Sequence, residues 1–144
     1  YVMVNLNDIL GINLNEVPLS DINEEILIKL KEANFNIQND FYFFLINNIN
    51  ELENGDSNLL AHLHFLMSYF LYIIFTPLNH ESLAFFHAKK ANSLINSIKY
   101  KEWLLFFSLN SNNLFNTYDL LNLCEEVLDI NPSSEIANMI KTLY

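Results

Sequence analysis

The chain contains no arginine: its seven basic residues are all lysines, set against 17 acidic ones, for a formal net charge of -10. A surface that tracks phosphates needs clustered Lys and Arg. The only local groupings here are Lys89 with Lys90 and Lys99 with Lys101, which argues against a nucleic-acid partner. Cysteine is nearly absent as well: Cys124 stands alone, so no internal disulfide and no Cys-x-x-Cys pair is available. Its position on the apolar face of a helical pattern marks a buried, inert thiol and fits a reducing compartment. Two glycines and three prolines leave little material for the tight turns of an all-β fold, and neither a phosphate-cradling glycine loop nor a nucleophile elbow is present. The first residues lack the basic start, apolar run and small-residue cleavage site of a signal peptide. Met3 reads as the native start and the chain as cytoplasmic.

What the sequence does have is apolar residues at helical spacing. Hydrophobic residues make up 51% of the 144 and aromatics 14%, enough for a real core in one domain. The expected fold is all-α, with six to seven helices in antiparallel hairpins. In YDLLNLCEEVLDINPSSEIANMI, residues 118–140, Leu120, Leu121, Cys124, Val127 and Leu128 share one helical face, and Glu125, Glu126 and Asp129 take the other. Pro132 cannot continue the ladder and biases Asn131 away from helix, so that helix stops near Ile130. Ser133 or Ser134 then caps a last helix whose stripe is Ile136, Met139, Ile140 and Leu143.

Upstream, residues 1–19 show no sustained period and are expected to be an irregular lead-in. An N-terminal helical pair should fill 20–56: one helix from Ser20 or Asp21 to Asn34, with Asp21 and Glu24 as a capping pair, and one capped by Asn39 or Asp40 that ends near Gly55. Repeat-like hairpins should fill 59–144, with helices over about 59–75, 80–98 and 100–109 and a polar loop over 110–117. The run LLAHLHFLMSYFLYIIF, residues 59–75, carries no formal charge and reaches the short limit for a membrane span. His62, His64, Ser68, Tyr69 and Tyr72 dilute it and no basic anchor adjoins it, so it is read as the central helix of a layered domain rather than as a membrane segment.

Setting Ala88 against Cys124 aligns HAKKANSLINSIKYKEW with LCEEVLDINPSSEIANM at a period of about 36 residues. Residues 61–143 thereby resemble the tetratricopeptide family. YDLLNLCEEVLDINPSSEIA looks like its second helix, its aliphatic-Asn-Pro corner and the next first helix, and Ala84 and Ala91 match its two small second-helix residues. Asn96 in place of the closing proline, and Phe106 and Phe107 where a small residue is usual, depart from the pattern. A generic helical bundle accounts for the same periodicities. The resemblance implies a concave face lined by first helices, presenting His62, Phe65, Tyr69, Tyr72, Lys101, Leu104 and Ser108 to a protein partner unless the first two helices fill it. Trp103 should be buried between the second unit and its neighbours.

No constellation of catalytic residues is visible, and no metal or cofactor is expected. His62 and His64 are two apart and diverge on a helix, and His64 and His87 can approach across an antiparallel hairpin, which suits polar-capped packing better than zinc ligation. Glu125 and Glu126 also diverge, as on a solvated face. Small size, acidity and absent catalysis resemble bacterial toxin immunity proteins. The leading expectation is therefore a non-enzymatic, cytoplasmic neutraliser of one basic protein partner, with Glu125, Glu126 and Asp129 steering association. The alternative is an adaptor that binds an extended peptide; an enzyme with an unrecognised site ranks third.

Overall fold

The computed structural model describes residues 2–110 and 114–144; of the loop expected over 110–117, residues 111–113 lie outside these. The fold is all-α. Among the described residues there are eight α-helices and no strand: α1 Val2–Leu10, α2 Glu24–Leu27, α3 Phe35–Glu51, α4 Ser57–Tyr69, α5 His80–Leu94, α6 Ile98–Phe106, α7 Thr117–Ile130 and α8 Glu135–Leu143.

The N-terminal region differs most from expectation. The lead-in is not irregular throughout, because α1 occupies most of its first half. Leu6 and Leu10 are fully buried, and α1 packs on α3 and on the 3-10 turn Ile28–Leu30. A nine-residue helix has too few hydrogen bonds to offset its nucleation cost alone, so this packing holds it. Gly11, at φ +72, returns its N–H to Asn7 O at 2.9 Å and ends the helix in the left-handed conformation that glycine adopts without a Cβ penalty. Lys29 Nζ donates to Leu10 O at 3.2 Å, placing a cation at the negative end of α1.

The single helix expected from Ser20 to Asn34 is broken into a 3-10 turn at Leu19–Asp21, the short α2, and the 3-10 turn Ile28–Leu30. The cap is Asn23, whose Oδ1 accepts from Ile26 N at 3.0 Å, not the Asp21–Glu24 pair. With Ile22 and Asn23 both extended, Ile22 is driven into the core. Likewise α3 begins at the earlier amide, with Asn34 Oδ1 accepting from Ile37 N at 3.0 Å, and Asn39 and Asp40 fall inside the helix.

From α4 onward the expected corners hold to within a few residues. Asp56 caps α4, and its apolar run continues through a π-helical turn, Phe70–Phe75, that Thr76 ends at φ 44. Ser57–Phe75 is the one described helical run long and apolar enough to cross a bilayer. In this fold it is the central element: α3 and α5 pack along it and the Leu19–Asp21 turn crosses it, leaving Leu60, Ala61 and every residue from Leu63 to Ser68 buried. α6 packs on α5 and α7, and α7 on α8. Asn116 Oδ1 caps α7, which stops at Ile130 before Pro132, and Ser134 Oγ accepts from Ala137 N to start α8.

Candidate functional site

The face expected to be a partner groove is largely closed. Phe65 is 3% exposed, Lys101 6% and Leu104 5%, so none of the three is offered to a partner as a free surface. His62 is part-buried, with Nε2 2.7 Å from the carbonyl of Ile22 in the N-terminal segment. Lys99 lies 4.5 Å over the Phe65 ring and pairs with Glu24 of α2 at 3.3 Å, tying the N-terminal segment to α6 across α4. Tyr69 and Tyr72 are half-buried around Trp103, which also meets Phe65 and Phe107. Trp103 is itself half-buried; its Nε1 donates to Ser68 Oγ at 2.7 Å, and Ser68 in turn donates to Ala84 O at 2.7 Å. Burial, aided by the Glu24 charge, raises the Tyr69 and Tyr100 hydroxyls above their ordinary pKa. Ser108 donates to Leu105 O in its own turn. The closure has a simple cause: the aromatic rings of α4 and α6 gain more by packing together than by facing water.

Lys101 turns away from that face. Its Nζ lies 3.3 Å from Asn92 Oδ1 on α5 and 3.3 Å from Glu126 Oε1 on α7, so a buried cation bridges three helices. Glu126 is thus both exposed and structurally committed. Glu125 is exposed and pairs with Lys141 of α8, and Asp129 is exposed. The outer side of α7 also carries exposed Tyr118, Asp119 and Asn122, with Tyr118 74% exposed. Asp119, Asn122 and Glu126 fall at i, i+3 and i+7, a spacing that marks one helical stripe and was readable in the sequence. They border a hollow of about 550 Å³ between α5 and α7, floored by Phe85, Leu104, Phe115 and Leu123. What the sequence did not reveal is that these apolar residues from three segments converge beneath the stripe.

A second cleft, about 320 Å³, lies between α3, α4 and α5. His64 and His87 meet in it edge to edge, Nδ1 to Nδ1 at 2.9 Å with ring centroids 5.1 Å apart and planes 29° from parallel, the approach that the antiparallel hairpin allows. Each is 8% exposed. Burial lowers the pKa of both to about 4, with the Lys90 ammonium contributing to each and His64 contributing to His87. At neutral pH both rings are uncharged and share one hydrogen. No group of three or more His, Cys, Asp or Glu side chains converges as a metal site among the described residues. Cys124 is fully buried on α7, and desolvation raises its thiol pKa, which works against a nucleophilic role.

The chain matches no protein-family model, no curated protein and no solved structure.

Proposed function

We propose that the protein is a non-enzymatic binding module that neutralises one basic protein partner, in the manner of bacterial toxin immunity proteins acting in the cytoplasm. The observation that carries the reading is the outer face of α7. Exposed Asp119 and Glu126 line the hollow floored by Phe85, Leu104 and Leu123, which Lys89 of α5 also lines, and Glu125, Asp129 and Tyr118 are exposed further round the same helix. Acidic groups along the α7 side of a depression of mixed polarity suit a basic partner, whose cations are steered in by the net charge of -10. A tetratricopeptide-like succession of α4–α5, α6–α7 and α8 is the scaffold we assign to it; α5 on α6, α6 on α7, α7 on α8 and the α6–α8 contact support that order. The extended-peptide alternative has less to rest on, since Phe65, Lys101 and Leu104 are buried.

The test is affinity capture from the native organism followed by association kinetics at two salt concentrations. Asp119→Asn, Glu125→Gln and Asp129→Asn together should slow association at low salt. Glu126 is left intact because it holds Lys101. A captured partner that is acidic, or an association rate indifferent to both salt and the triple substitution, refutes the reading.

A further inference from the structure

The two sides of α5 differ in what they meet. Phe85 and Lys89 face the hollow towards α7, whereas Phe86 and Lys90 face the groove that α3 and α5 form above α4. Two helical stripes build the face around that groove. On α3, Phe35, Phe43, Ile46 and Asn50 follow helical spacing, and Glu53 comes one turn later, just past the helix end. On α5 the stripe is Leu83, Phe86 and Lys90. Phe35 is 65% exposed, Phe43 57% and Phe86 49%, and Ile46 and Phe86 line one cleft from opposite walls. Large apolar side chains gathered in this way mark an interaction surface, unlike the single apolar residues scattered over any protein.

Charge selects what covers it. In a chain with 17 acidic and seven basic residues, the described residues that line this cleft include one acid, Glu53, and one base, Lys90, so the lining is neutral on a molecule of net charge -10. Neither forms an ion pair among the described residues. α3 and α5 run in the same direction, both antiparallel to α4: Phe35 at the start of α3 stacks on Phe75 at the end of the α4 run, 5.7 Å between centroids. Glu53 and Lys90 thus sit on opposite walls near the same end of the groove. A twofold axis along the groove sets α3 of each copy against α5 of the other, ends level, and brings each Glu53 to Lys90 of the other copy. A twofold axis across the groove reverses the direction and places both charges against the apolar end.

We propose that this face binds a second copy of the chain. In the dimer, α3 and α5 of the two copies form a four-helix core, with Phe43, Ile46, Leu83 and Phe86 filling its centre and a Glu53–Lys90 pair closing each side. From the rise of α3 and ordinary helix spacings the face measures roughly 25 Å by 20 Å. That outline falls at the weak end of specific interfaces, so the dimer is reversible, with dissociation in the micromolar range. The contact lies on the other side of α5 from the hollow beside α7 and does not rest on the function proposed for that hollow.

Sedimentation equilibrium of the whole chain, from about 10 µM to about 1 mM, tests this. It should show a monomer–dimer equilibrium that tightens several-fold as salt rises, because screening relaxes the repulsion between two molecules of charge -10. Binding of a basic partner at the α7 face changes with salt in the opposite sense. Phe86→Ser, at a half-exposed position, should weaken the dimer at least tenfold with an unchanged circular dichroism spectrum. Glu53→Lys and Lys90→Glu each set like charges against one another and should each weaken self-association. Mixed together at the same salt concentration, these two single variants should recover a heterodimer, because both pairs across the axis are then opposite in sign. A chain that stays monomeric throughout overturns the proposal and leaves the face to a foreign helix. A dimer untouched by Phe86→Ser, or single variants that do not recover on mixing, overturns it as well.

Discussion

Glu126→Gln should destabilise the protein far more than its exposed position suggests. Its carboxylate lies 3.3 Å from the ammonium of Lys101, whose side chain is almost wholly removed from water. At that distance the direct attraction is ~5 kcal/mol for an effective dielectric near 20. Most of this offsets the desolvation of Lys101, and the exposure of Glu126 screens the rest. Glutamine keeps an acceptor oxygen and removes only the charge, so the expected loss is about 1–2 kcal/mol. Lys101→Met keeps the stem and removes the buried cation, at a cost of about 0–1 kcal/mol. The double variant should match Lys101→Met, because without the ammonium there is nothing for the carboxylate to compensate. Urea unfolding followed by circular dichroism would show a midpoint lowered by about 0.5–1 M for Glu126→Gln. Glu125→Gln is the control: its partner Lys141 is on the surface, and the midpoint should barely move. A Glu126→Gln midpoint equal to that control, or a double variant whose losses simply add, would refute the bridging role of Lys101.

Acid should loosen the α4–α5 contact. The folded pKa of about 4 for His64 and His87 lies below the ordinary 6.5, so the unfolded chain binds more protons between these values. Their stabilising contribution is fully present above pH 6.5 and is lost as pH falls towards 4. It amounts to roughly 3 kcal/mol for one imidazole. A His64→Phe/His87→Phe variant that retains the full acid dependence in unfolding titrations from pH 7 to 4 would contradict this. Ser68→Ala removes the acceptor of the Trp103 indole in a buried site and should cost about 1–3 kcal/mol, with a shift in Trp103 emission; unchanged stability and emission would show that this hydrogen bond contributes nothing. Leu10→Ala should cost about 2–5 kcal/mol despite lying near the N-terminus, since its side chain is fully buried. A melting temperature within a degree of the parent would mean that α1 does not dock.

Much of the fold was written locally. The corner at 130–135 follows from a proline that cannot extend α7 and a serine that can cap α8, and both effects act within a few residues. The all-α class followed from apolar spacing and scarce turn residues, and the central position of Ser57–Phe75 from a helix apolar nearly all round. Even the His64–His87 approach was legible, because an antiparallel hairpin fixes which turns face each other. Capping was less certain where several Asn and Asp compete: Asn23 and Asn34 prevailed over Asp21, Asn39 and Asp40.

Only the tertiary structure decided what covers what. VMVNLNDIL has Met3, Leu6, Ile9 and Leu10 at helical spacing, but nine residues do not hold a helix alone, and its helicity depends on Leu6 and Leu10 meeting α3. The face of Phe65 and Tyr69 on α4 and Tyr72 in the π-helical turn has the same sequence pattern whether it faces a partner or its own chain; α6 and the N-terminal segment, held by Glu24 and Lys99, close most of it. Glu126 looks like any solvated glutamate until Lys101 arrives from another helix. Helix type and helix ends are set by neighbours a few residues away, whereas burial and pairing depend on surfaces brought together from distant parts of the chain. Spacing along the sequence identifies a face of a helix but carries no information about which element meets it.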